Sequence, residues 1–294
     1  MSLKTLKPLL EKIIEHCSHL ERRDNDPVGL VHAYDEDADR EVAALFSSCL
    51  AYGRVELLRP AIRRALTPLG ARPAEFLRTA TIPDLENLWP DFTYRMTRGP
   101  DLLDLACALR STLQNEGNLQ ALYLQGKDSA EPVAQRDEHL RLASRFVRRL
   151  RSRRSRSKMV RGFRYLLPDP ADGSACKRLH LFFRWVVRGP DIIDLGIWDK
   201  VNPSAIIMPL DTHTSRLCRY LGLLQRKSVD GKAARQVTQQ LASFESADPL
   251  RYDFALCHLG ISGRCIHRYC AERCPDCPIQ PACILIADGS STGV

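Results

Sequence analysis

Asp39-Arg-Glu-Val42-Ala-Ala-Leu45-Phe46-Ser-Ser-Cys49-Leu50-Ala-Tyr52 carries its apolar side chains at intervals of three and four residues. That period lays Val42, Leu45, Phe46, Cys49 and Leu50 along one stripe of an amphipathic helix. Asp101 to Leu113 repeats the pattern through Leu102, Leu105, Cys107 and Leu109. Strict alternation of apolar and polar residues, the mark of a half-buried strand, is scarce along the chain. Pro27, Pro60, Gly70, Pro100, Pro168, Pro190, Pro209, Gly222 and Pro249 divide the chain into segments of helix length. The fold class expected is all-α.

The 294 residues are 44% hydrophobic and carry a formal net charge of +8. Such a chain buries a core, and its charge suits a polyanionic partner without choosing among nucleic acid, acidic lipid and simple solubility. No apolar run approaches the roughly 18 residues of a membrane span, and Lys4, Lys7, Glu11 and Lys12 interrupt the N-terminal stretch. A cytoplasmic, nucleoid-associated monomer with no membrane partner is expected. Eleven cysteines in such a chain argue for metal binding rather than disulfides, because six of them fall between Cys257 and Cys283.

Two stretches echo one another, Arg98-Gly-Pro-Asp-Leu-Leu-Asp-Leu and Arg188-Gly-Pro-Asp-Ile-Ile-Asp-Leu. With no longer repeat behind them, they read as two similar helix starts, each with Pro in the first turn and an acidic residue after it. Gln125 to Glu138 is polar, contains Pro132 and reads as a surface connection, while residues 285–294 read as a disordered tail. From Arg141 to Arg164, eleven of twenty-four residues are Arg or Lys, densest over Arg148 to Lys158. Arginine forks grip phosphate oxygens and release counterions, so Arg151, Arg153, Arg154 and Arg156 are candidate DNA contacts; the competing reading is a solvated basic face.

Cys265-Ile-His-Arg-Tyr-Cys270-Ala-Glu-Arg-Cys274-Pro-Asp-Cys277-Pro-Ile-Gln-Pro-Ala-Cys283 places five thiols in a proline-broken loop. Cys274, Cys277 and Cys283 can share one centre, and Cys265 or Cys270, or less readily His267, completes it. Zinc sites usually pair two short knuckles; a single short pair with unequal flanks favours a 4Fe-4S cluster over zinc. Further upstream, Pro209-Leu-Asp211-Thr-His213 opens an apolar-periodic segment that ends at Gly222. Taken alone, Asp211 is an ordinary N-cap.

The two motifs together resemble the helix-hairpin-helix (HhH-GPD) DNA glycosylases. Pro-Leu-Asp211-Thr-His213 resembles the element that carries the essential aspartate of that superfamily, and the cysteine loop resembles that of endonuclease III and the adenine glycosylases. There the first thiol follows a helix end, which points to Cys265, although eight residues separate Cys265 from Cys274 where the family has six. The family's usual lysine position, eighteen residues before the aspartate, holds Ile193. Lys177, after Pro168-Asp-Pro170 and Asp172-Gly-Ser-Ala-Cys176, resembles instead the hairpin lysine of archaeal 8-oxoguanine glycosylases. Further stretches, from Asn25-Asp-Pro27 to Tyr252-Asp-Phe-Ala-Leu256, look like a bacterial family within this superfamily.

The resemblance implies a helical glycosylase-like domain over 1–262, in two lobes with a cleft between them, and a cluster loop over 263–284. It implies excision of a damaged base, an oxidised purine by analogy, from double-stranded DNA. Neutral Lys177 would attack the sugar and then act as an AP lyase, ionised Asp211 would stabilise the sugar cation, and Arg178 and His213 would contact DNA. Arg178 beside Lys177 is expected to favour the neutral amine. Periodicity buries Leu179, Phe182, Phe183 and Val186 and leaves Lys177, Arg184 and Arg188 on the opposite face. Tyr52, Phe183, Trp185 and Trp198 are either stacking residues or core. Two other functions fit the same residues: a non-catalytic iron–sulfur DNA-binding protein and a zinc-stabilised RNA-binding protein.

Overall fold

The computed structural model describes residues 3–17, 19–127, 134–261, 263 and 265–289. Among these the chain forms sixteen α-helices and one sheet of two short antiparallel strands, Thr93–Tyr94 and Thr97–Arg98. The fold is thus mostly helical, as the periodicity requires. The stripe beginning at Asp39 lies in the helix Asp37–Leu50, whose Val42, Leu45, Phe46 and Leu50 are fully buried. Asp101 to Leu113 lies in Gly99–Asn115, with Pro100 in its first turn. Pro60 does not break the chain: it sits inside the helix Val55–Leu66, at the cost of one backbone hydrogen bond. No described helix is long and apolar enough to cross a membrane.

The helix Lys177–Val187 runs through the interior against Asp37–Leu50. Leu179, Phe182, Phe183 and Val186 are buried as expected. Its other face is buried too. Arg184 is only 3% exposed and holds Asp194 at 3.1 Å and Asp253 at 2.8 Å, so it is an internal ion-pair hub and not a solvated arginine. Trp185, Trp198 and Phe183 belong to the core, and only Tyr52 of the four aromatic candidates reaches the cleft described below. Trp198 donates its indole N–H to Glu41 at 2.6 Å, and the same carboxylate accepts the amides of Leu119 and Gln120. A buried carboxylate with three donors is satisfied, which lets the acidic residue sit in the centre of the core.

The two echoed stretches part company. Arg98-Gly-Pro-Asp101 starts a helix, with the Asp101 carboxylate accepting the Arg98 amide at 2.9 Å. Arg188-Gly-Pro-Asp191 instead ends one, and the following chain folds back along it, with Leu195 and Trp198 donating to the carbonyls of Trp185 and Val186. Gly196, at φ 61°, permits this: a Cβ there would collide with Gly189 and Pro190. Arg188, in place of a solvent-facing role, binds Asp191, Asp194 and Asp248. The same eight residue types therefore serve opposite ends of a helix, because long-range carboxylates claim the second copy.

The polar connection read over Gln125 to Glu138 is already helical from Gln135, and residues 128–133 lie outside the described residues. The C-terminal tail begins with a helix, Ile284–Gly289, rather than with disorder; residues 290–294 lie outside the described residues.

Candidate functional site

Lys177 and Asp211 meet, thirty-four residues apart in sequence, with Nζ 3.2 Å from Oδ2. Each is placed by a helix start. Asp211 caps Thr212–Tyr220 through Oδ1, which accepts the Thr214 amide at 2.8 Å, leaving Oδ2 to face the lysine. Lys177 is the first residue of its helix and follows Cys176, whose φ of 43° is a left-handed conformation rare for a residue with a side chain. The turn before it, Pro170–Asp172 with Gly173 at φ 80°, is pinned to a neighbouring helix start by the Gly231 amide donating to the Gly173 carbonyl at 2.9 Å. Lys177 thus projects from a short turn between two helices, Arg161–Leu166 and its own.

The electrostatics of the pair differ from expectation. Burial acts to strip the Lys177 ammonium of its proton, and the positive end of its helix pushes the same way. The Asp211 carboxylate outweighs burial, with Cys257 and Asp26 adding to it, so Lys177 is held above the ordinary lysine value. Burial likewise raises Asp211, and Lys177 together with the Thr214 amide outweighs it, holding the carboxyl below its ordinary value. The resting pair is ammonium and carboxylate, not neutral amine. Arg178 has no part in this: it donates to the Cys49 carbonyl at 2.6 Å and to the Tyr165 carbonyl, and its guanidinium lies over the rings of Tyr52 and Tyr165 at 4.9 and 4.1 Å. Cys257, on the helix Asp253–Ile261, stands near the pair and is pushed up to about 12, first by burial and then by Asp211.

Around the pair opens a cleft of about 1420 Å³. Lys177, Asp211, Arg178 and His213 all line it, as do Tyr52, Cys257 and His258. Arg95, Cys176 and His267 are the non-glycine residues with positive φ among those described, and all three line the same cleft. Backbone strain of this kind costs about 1–3 kcal/mol per residue and gathers where function demands it.

The dense basic run is mostly folded inward. Arg153 makes two 2.6 Å bonds to Glu116, and Arg156 binds Asp101 and Asp104. Asp104, fully buried, also accepts the Ser155 amide and hydroxyl, so the segment wraps around an acidic patch. Arg154 donates to the Arg151 and Ser157 carbonyls, and Arg151 to those of Leu167 and Arg164. Of the four, Arg151 lines the cleft. The positive rim comes mainly from residues that composition alone did not single out. Arg54, Arg95, Arg161 and Arg164 line the cleft, are exposed and have no carboxylate partner among the described residues. Tyr165, 37% exposed, stands among them. The available signal was the Arg161 and Arg164 spacing, three apart on one short helix, at the trailing end of the run. Gly162 between them lets that helix sit against Asp101, whose carboxylate a Cβ would strike.

Cys265, Cys270, Cys274, Cys277 and Cys283 are all partly buried and none is in a disulfide. Among the described residues, no group of three or more His, Cys, Asp or Glu stands in an arrangement that could hold a metal ion. Burial raises the Cys283 pKa first, and Cys265, Cys277 and Cys274 are near enough to add to the rise. The Cys270 amide donates to the Cys274 sulfur at 3.3 Å. The His267 ring lies 5.8 Å from that of His213 and 6.0 Å from that of Tyr220.

No curated protein and no solved structure matches this chain. A family model does match, over residues 26–262, which takes in Lys177, Asp211 and the cleft-lining residues from Asp26 to Ile261, but not Glu21, Arg22, Asn25, Gly263, Cys265 and His267 of the same cleft, and it stops short of the five-cysteine loop. The chain belongs to the family described as "Protein of unknown function (DUF2400)".

Proposed function

We propose that this protein is a DNA base-excision glycosylase with AP lyase activity, acting on double-stranded DNA, with Lys177 as nucleophile and Asp211 as the stabilising carboxylate. The observation that carries the reading is the 3.2 Å Lys177–Asp211 pair, opening on a cleft rimmed by unpaired arginines. A nucleotide flipped into the cleft presents its anomeric carbon to Lys177. The ammonium first gives up a proton to solvent. The amine then forms a bond to that carbon while the glycosidic bond breaks, and the base leaves with the bonding electrons and takes up a proton. Ring opening yields the Schiff base from which the lyase step proceeds, and Asp211, ionised throughout, offsets the positive charge on the sugar. Borohydride, which reduces such a Schiff base to a stable amine, provides the test. Incubation with a duplex containing an abasic site should give a covalent protein–DNA complex, and none would form with a purely non-covalent binder.

Affinity in this reading comes from the cleft rim. Arg161→Ala with Arg164→Ala should flatten the dependence of log affinity on log salt by about two, since each phosphate contact contributes roughly one unit. Arg153→Ala or Arg156→Ala should leave the slope as it is and lower the melting temperature, because each strips a partner from a buried carboxylate. A slope insensitive to Arg161 and Arg164 would place the DNA elsewhere.

Cys265, Cys274, Cys277 and Cys283 are proposed as ligands of a 4Fe-4S cluster, which they suit in number and in the softness of their sulfurs. The Cys265 thiol is near enough to Cys283 to add to its raised pKa, which is in keeping with Cys265 as the fourth ligand. Protein purified without oxygen should contain about four irons and absorb broadly in the visible. Ser in place of Cys265 should remove that absorption while Cys270→Ser keeps it. Stoichiometric zinc without iron would instead support the RNA-binding alternative.

A further inference from the structure

The helix Asp253–Ile261 that brings Cys257 to the cleft also carries His258, and no part of the Lys177 and Asp211 chemistry uses it. His258 is 8% exposed and lines the cleft, and its Nε2 has no hydrogen-bond partner. A buried polar nitrogen left without a partner costs about 1–3 kcal/mol and calls for an explanation. The Asp26 carboxylate stands beside it, with Oδ2 3.7 Å from Nε2, too far for a hydrogen bond. Both groups are held in place. The other Asp26 oxygen accepts the Val28 amide at 3.0 Å, and the His258 ring lies 4.2 Å from that of Phe254, which also lines the cleft. Asp26 is near enough to Lys177 to contribute to the raised pKa of its ammonium, so the two pairs share one chamber.

We propose that Asp26 and His258 form the base-recognition end of the cleft and select nucleobases with a lactam edge, a ring N–H beside a carbonyl. This rests on the glycosylase reading above. The Asp26 carboxylate is acceptor only, so it takes the ring N–H; the adjacent Nε2, carrying its proton, donates to the carbonyl oxygen. In the same register, an edge with an exocyclic amino group beside an unprotonated ring nitrogen sets acceptor against acceptor at Asp26 and donor against donor at Nε2, and satisfies neither. Oxidised and deaminated purines, which carry lactam edges, are therefore favoured over adenine. A pocket that fixes a substrate by buried polar groups rejects the mismatched edge strongly, because the unmatched protein groups stay unpaired.

The test compares two rates in the same protein: single-turnover release of 8-oxoguanine or hypoxanthine from a duplex, and borohydride trapping on a duplex with a preformed abasic site. The second substrate has no base and does not use the subsite, so the ratio isolates base recognition from folding and from the Lys177 chemistry. Asp26→Asn keeps the acceptor for the Val28 amide and replaces the free acceptor with a donor; His258→Gln keeps a polar group but shifts its donor. Each should lower the ratio of excision to trapping about 10- to 100-fold, the loss of one well-made hydrogen bond to substrate. A ratio unchanged in both variants would overturn the assignment while leaving the glycosylase reading standing. Loss of excision and trapping in equal measure would also overturn it, by making the pair structural. Wild-type protein that traps no abasic duplex and releases no base would instead overturn the glycosylase reading and this inference with it.

Discussion

Lys177→Ala is expected to abolish the borohydride-trapped complex while leaving DNA affinity within a small factor of wild type. The two readouts separate because Lys177 is not part of the phosphate-gripping rim: its ammonium faces Asp211 at 3.2 Å inside the cleft, whereas Arg161 and Arg164 are exposed and unpaired. Removing one amine that neutralises a protein carboxylate costs little phosphate binding. The proposed chemistry, by contrast, has no substitute, because no other lysine among the described residues lines the cleft. On the proposed chemistry only the neutral amine attacks, and Asp211 holds Lys177 above the ordinary value of about 10.4. The trapping rate should therefore rise about tenfold per pH unit through neutrality and level off only above roughly pH 10. Bound DNA phosphates push the ammonium in the same direction. A trapped complex formed by Lys177→Ala at the wild-type rate would mean that the nucleophile lies elsewhere.

Asp211→Asn should fail in a different way. Asparagine retains the side-chain oxygen that accepts the Thr214 amide, so the helix Thr212–Tyr220 keeps its cap and the protein folds. The charge facing the sugar is lost. Base excision should fall roughly a hundredfold or more, the usual consequence of removing one stabilising group from a water-poor site. Trapping on a preformed abasic site should respond with the opposite sign at neutral pH. Without the carboxylate, burial is free to pull the Lys177 pKa down, so its neutral fraction rises and the plateau of the trapping profile moves to lower pH. Excision and trapping both at wild-type rates, with no shift of the profile, would show that Asp211 serves only as a helix cap.

Much of this architecture is written locally. The stripe from Val42 to Leu50 is apolar at the helical period, and a helix with one such face has to bury it, so its place in the core follows from the sequence. The N-cap at Asp211 and the turn before Lys177 are equally local, since short-range hydrogen bonds and a glycine at positive φ determine them. What local pattern misjudged were the charges. Arg184 reads as a solvated residue on the polar face of its helix, yet Asp194 and Asp253, ten and sixty-nine positions away, make it a buried hub. Arg153 and Arg156 read as a free basic patch and are claimed by Glu116, Asp101 and Asp104.

Local pattern was enough for most of the helices and for the starts at Arg98 and Asp211, but not for Arg188, which ends a helix, nor for Pro60, which lies inside one. Which charges meet was set by the packing of distant segments. A helix start is set within a few residues, by a side chain and the amides beside it, whereas an ion pair depends on two helices arriving at the same point. Lys177 is consequently an ammonium facing Asp211 and not a free amine beside Arg178. The exposed arginines of the cleft rim are those that folding left without a carboxylate, a property no residue carries on its own.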